Sequence, residues 1–108
     1  MTIEQEIDMF ANYTKCLTEM FARKRADYGQ TTTETFDRFG PVSMLVRMHD
    51  KLGRLDNLLG TGRIPNNESV EDTLFDLANY CLITLLELQK QREHRLEDTS
   101  SLKQINCR

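Results

Sequence analysis

Proline occurs only at positions 41 and 65 and glycine only at 29, 40, 53, 60 and 62, so residues that break regular structure fall at a few places. Long uninterrupted segments lie between them, and three long helices are the natural organisation. Thr2 to Gln5 has the form of a capping box, after which Ile3, Ile7, Phe10, Thr14, Leu17 and Phe21 recur at three and four residues. The first helix is expected from about Ile3 to about Ala26, ended by Gly29. Between Gln30 and Gly40 the Thr-rich segment admits a short helical turn capped by Thr33, with Phe36 and Phe39 at helical spacing. Pro41 opens a second helix whose stripe is Val42, Leu45, Met48, Leu52, Leu55 and Leu59, stopping at Gly60. After a polar turn over 61–67, Ser69 to Asp72 reads as the start of a third helix reaching about Gln91.

The expected class is therefore all-α, a small bundle of three long helices, with one helical domain over 1–92 and a polar tail over 93–108. With 108 residues the chain holds a single domain, and a domain this size buries a thin core that self-association often supplements. The third helix sharpens that expectation. Val70, Leu74, Leu77, Cys81, Leu85 and Leu88 share one face, while Asp72, Asp76, Asn79, Ile83 and Leu86 lie roughly opposite. Its second half is apolar nearly all round, more than two other helices cover, which predicts a helix-mediated homo-oligomer.

Composition excludes several classes. No run of about 20 apolar residues exists, and the N-terminus lacks the charge and apolar stretch of a signal peptide, so neither membrane insertion nor export is expected. Cys16, Cys81 and Cys107 are odd in number and lack C-x-x-C spacing, which indicates neither a disulfide framework nor a zinc site, and the expectation is a reducing cytoplasm with the thiols in packing or tail positions. A formal net charge of -3 argues against binding a nucleic-acid tract.

Chemistry concentrates in three clusters. Lys24, Asp27, Tyr28 and Gly29 close the first helix. Lys24 would reach a phosphate, Tyr28 would stack on a base and Gly29 would let the backbone approach a ligand. The same residues equally describe a snorkelling lysine and a glycine C-cap. On the second helix Arg47, Lys51 and Arg54 share a face that can hold phosphates, or can form a solvated face laced by pairs with Asp50. Gly53, unfavourable inside a helix, would be explained by a close helix crossing or a ligand pressed on the backbone. On the third helix Asp72 and Asp76, one turn apart, are a candidate Mg²⁺ pair, although Asp72 also stands where a first-turn acid belongs. Asn79 and Tyr80 follow on the same helix.

Taken together, Lys24 to Gly29, then Lys51 to Arg54, then Glu71, Asp72 and Asp76 to Tyr80 resemble the pattern of the nucleotide modification associated domain family of phages and bacteria, over roughly residues 20 to 90. The resemblance implies an all-helical domain handling nucleotides or modified bases. A single site would then set Lys24, Lys51 and Arg54 on phosphates and Asp76, Asn79 and Tyr80 on sugar or base. The third helix is also similar to that of all-helical nucleoside triphosphate pyrophosphohydrolases, whose paired acidic motifs hold Mg²⁺. Here the first pair is replaced by Lys51 and Arg54, and Asp72 and Asp76 only approximate the second.

The resulting expectation is a phage-type, oligomeric protein that binds a nucleotide or nucleotide-derived signal in the host cytoplasm and sequesters it from a defence pathway. The competitors are a Mg²⁺-dependent pyrophosphohydrolase using Asp72 and Asp76, and a helical interaction module indifferent to Lys51 and Arg54.

Overall fold

A computed structural model describes residues 1–60 and 67–96, with the backbone alone at Tyr28 and at 67–69. All four of its regular elements are helices: α1 (Ile3–Tyr28), α2 (Thr31–Phe39), α3 (Val42–Gly60) and α4 (Asn67–Leu96). The all-α expectation holds, and the count of three is corrected to four.

The ends follow from local chemistry. Thr2 and Gln5 form the capping box reciprocally, the Gln5 amide donating to Thr2 Oγ1 at 3.1 Å and the Thr2 amide to Gln5 Oε1 at 2.8 Å. Gly29 ends α1 at φ 58°, a backbone angle that side-chain-bearing residues rarely adopt. Where a single turn was expected, α2 runs nine residues, because Phe36 is completely buried and anchors it from one side. Thr33 does not cap it. Gln30 occupies the N-cap position without a side-chain bond, and the Thr33 hydroxyl instead donates to Glu87 Oε1 at 2.9 Å. Helix α4 starts two residues before Ser69 and continues five beyond Gln91, its last turn carrying the basic pair His94 and Arg95 where the helix dipole favours cations. Of the expected tail, residues 93–96 are therefore helical, and 97–108 lie outside the described residues, as does most of the expected 61–67 turn.

Packing is dominated by α3 against α4. Met48 meets Cys81, Lys51 meets Asp76 and Arg54 meets Thr73, so residue numbers fall on one helix as they rise on the other and the pair is antiparallel. Helix α1 crosses this pair. Tyr13 and Lys24, about 16 Å apart along α1, meet α4 at the neighbouring residues Phe75 and Asp76, which a lengthwise packing does not allow. Among the described residues, the buried apolar ones are Leu17, Phe36, Met44 and Leu55.

The face of α4 that turns inward differs from the expectation. Among its described side chains Thr73, Asn79 and Glu87 are buried, while Leu74, Cys81 and Leu85 of the apolar face are exposed. Hydrophobic periodicity selects the wrong face here because two of the inward polar residues, Thr73 and Glu87, find partners on other helices in Arg54 and Thr33. Two smaller expectations are corrected as well. Cys16 and Cys81 are exposed free thiols, Cys81 still touching Met48, and a Cβ added at Gly53 would meet nothing within 4 Å, so no close crossing explains that glycine. Among the described residues no helix is long and apolar enough to cross a membrane.

Candidate functional site

Thr73, Asp76, Tyr80, Ile83, Glu87 and Lys90 recur along α4 at alternating three and four residues, which aligns them on one face. Partners for this seam come from three other helices. At its start Arg54 Nε donates to Thr73 Oγ1 at 3.1 Å. One turn on, Asp76 sits between two ammonium groups, Lys51 Nζ at 2.9 Å from Oδ2 and Lys24 Nζ at 3.3 Å from Oδ1. Burial raises the Asp76 carboxyl, but the Lys51 hydrogen bond and the charges of Lys24 and Lys51 outweigh it and hold the group below its ordinary range. Near the far end, Glu87 is 3% exposed and its Oε1 accepts from Lys90 Nζ and Thr33 Oγ1, each at 2.9 Å.

Between these two acid-lysine groups lies a pocket of about 290 Å³, at the low end of the roughly 300–1,000 Å³ of small-molecule sites. Phe21, Tyr80, Ile83 and Leu86 supply apolar and aromatic wall. Lys24, Arg25, Arg47 and Lys90 set four cations against the carboxylates of Asp76 and Glu87. Arg25 is committed to the C-terminus of α1 through a bond to the Gly29 carbonyl. Arg47 makes only a weak 4.0 Å contact to Met44 Sδ, and forms no ion pair among the described residues. Thr31, Thr32 and Thr33 bring the first turn of α2, the positive end of its dipole, to the pocket edge.

Asn79 is the exceptional group. It lines the pocket at 4% exposure, and its Nδ2 has no hydrogen-bond partner among the described residues. A buried amide donor without an acceptor costs about 1–3 kcal/mol, so such groups are rare and ask for an explanation.

Of the residues singled out in the sequence, Lys24, Gly29, Arg47, Asp76, Asn79 and Tyr80 line this pocket. Lys51 joins it through Asp76, and Arg54 stands one turn away on Thr73. Asp27 and Asp72 are exposed and outside the lining, and the Tyr28 side chain lies outside the described residues. Among the described residues no group of three or more His, Cys, Asp or Glu side chains is arranged to hold a metal ion. Sequence reasoning missed the α2 threonines, Glu87 and Lys90. The signal was present in the spacing of Glu87 and Lys90 on the seam begun by Thr73, and in a carboxylate standing alone among leucines.

Residues 24–88 match the family described as Nucleotide modification associated domain 1, and the chain belongs to it. The matched segment starts at the Lys24 that meets Asp76 and ends one residue past Glu87, and so spans both acid-lysine groups of the pocket except Lys90. No curated protein and no solved structure matches the chain.

Proposed function

We propose that this member of the nucleotide modification associated family binds a nucleotide, or a signalling molecule derived from one, in the pocket between α1, α2 and α4. The observation that carries the reading is the unpartnered, buried Asn79 Nδ2 inside a cation-rich pocket. That donor is satisfied by a ligand acceptor, such as a carbonyl or ring nitrogen of a base, while Phe21 and Tyr80 offer rings to its faces. Arg47, Lys24 and the first turn of α2 take phosphate, Arg as a bidentate fork and Lys as a point charge. Lys51 and Arg54 support the site from behind, through Asp76 and Thr73. The pocket volume suits one small phosphorylated molecule rather than a nucleic-acid tract.

Holding, not turnover, is the chemistry this lining favours. Its described lining is cations set beside an apolar and aromatic wall, the groups that hold a phosphorylated ring compound. Such a protein withdraws its ligand from solution, which is the action needed to silence a nucleotide signal in a host defence pathway. The competing reading is Mg²⁺-dependent hydrolysis at Asp72 and Asp76. Asp76 already has an ammonium group on each carboxylate oxygen, so a Mg²⁺ there would compete with both lysines for it.

Nucleotides incubated with the protein and Mg²⁺ separate the readings. Retention on the protein with unchanged nucleotide supports sequestration. Conversion that is abolished by Asp76→Asn overturns it in favour of hydrolysis, and absence of both retention and conversion across mono-, di- and cyclic nucleotides overturns nucleotide handling altogether.

A further inference from the structure

The apolar stripe of α1 is continuous in sequence and only half used. Leu17 is buried and Phe21 lines the pocket, yet Ile3, Ile7 and Phe10, on the same side of the helix, are 71%, 62% and 70% exposed. Every residue of α1 before Leu17 is exposed. A second apolar surface faces outward on the later half of α4, where Leu82, Leu85 and Leu88 are 51%, 64% and 39% exposed. A small domain rarely leaves two such surfaces to water.

We infer that each is covered by a second copy of this chain, the first half of α1 from one copy lying antiparallel along the later half of α4 of the other, and reciprocally. Charge selects this occupant. The first half of α1 carries Glu4, Glu6 and Asp8 with no lysine or arginine before Lys15, whereas the end of α4 carries Arg92, His94 and Arg95 against the single acid Glu93. These groups are exposed in the single chain, and antiparallel docking sets the acidic start of one helix beside the basic end of the other. The exchange is isologous and closes as a dimer.

Sedimentation equilibrium of the full chain tests this. The expected mass at micromolar concentration is twice the 12.6 kDa of one chain. Phe10→Glu is expected to give a monomer with unchanged helical circular dichroism, since Phe10 is 70% exposed in the single chain. Asp8→Lys should weaken dimerisation by about tenfold, near 1.4 kcal/mol, and Arg92→Glu combined with Arg95→Glu should restore it. A monomeric wild type overturns the inference, whether the stripe is covered by residues 97–108 of the same chain or by another protein. A dimer indifferent to both Phe10→Glu and the charge reversals overturns it equally.

Discussion

The Lys51 ammonium lies 2.9 Å from Asp76 Oδ2, joining α3 to α4 at the level where α1 crosses them. Lys24 reaches the other oxygen from α1, so one carboxylate ties three helices together. The arrangement also sets the charge of the pocket at rest, because Asp76 offsets one of the two lysines that a phosphate would otherwise meet.

Replacing that carboxylate therefore moves stability and binding in opposite directions. Asp76→Asn is expected to lower stability by no more than about 1 kcal/mol, since partly exposed ion pairs contribute little. The same change raises affinity for phosphorylated ligands at low salt, because Lys24 gains freedom and the pocket gains a unit of net positive charge. Thermal melts and phosphate titrations of the two proteins check both signs.

The pH dependence follows from the same group. The folded Asp76 carboxyl titrates below its ordinary range, so the stabilisation it provides is fully present above the unfolded value of about 4 and is lost as pH falls through the lower folded value. The melting temperatures of wild type and Asp76→Asn should differ by a constant amount near neutrality and converge below pH about 4. A gap that persists in acid contradicts the assignment.

Asn79→Leu should stabilise the protein while disabling it. Leucine approximates the shape of asparagine and removes the unpaired donor, a gain of about 1 kcal/mol, or about 4 °C in melting temperature for a chain of this size. Nucleotide binding should fall at the same time. This trade is characteristic of a polar group kept for a ligand and not for the fold.

Phe36→Ala should be severe. Phe36 is the fully buried anchor of α2, and truncating such a side chain costs about 3–5 kcal/mol, a large share of a small domain's stability. Any folded fraction should bind ligand poorly, because α2 supplies the threonine edge of the pocket. Denaturant melts followed by circular dichroism measure the loss.

The helices were largely legible in the sequence because their limits are local: the Thr2 and Gln5 capping box, Gly29, Gly40 and Pro41 all act within a few residues. Helix α2 was underestimated because the burial of Phe36 is a tertiary fact, absent from its Thr-rich neighbourhood. The inner face of α4 was misjudged for a related reason. Asp76 and Glu87 look like solvent-facing groups until Lys24, Lys51 and Thr33 are seen to arrive from other helices. The same limit divides the site. Lys24, Arg47, Asp76, Asn79 and Tyr80 stood out as residue types at helical spacing, but Glu87, Lys90 and the α2 threonines gain meaning only across a pocket that no local pattern announces.

Isothermal titration of a nucleotide panel into wild type and Asn79→Leu side by side tests the central claim most directly. Saturable binding of at least one phosphorylated nucleotide to wild type is predicted, weakened at least about tenfold, or 1.4 kcal/mol, in a variant that melts at the same temperature or higher. Equal affinity in the two proteins, or no heat from any nucleotide with wild type, would contradict it.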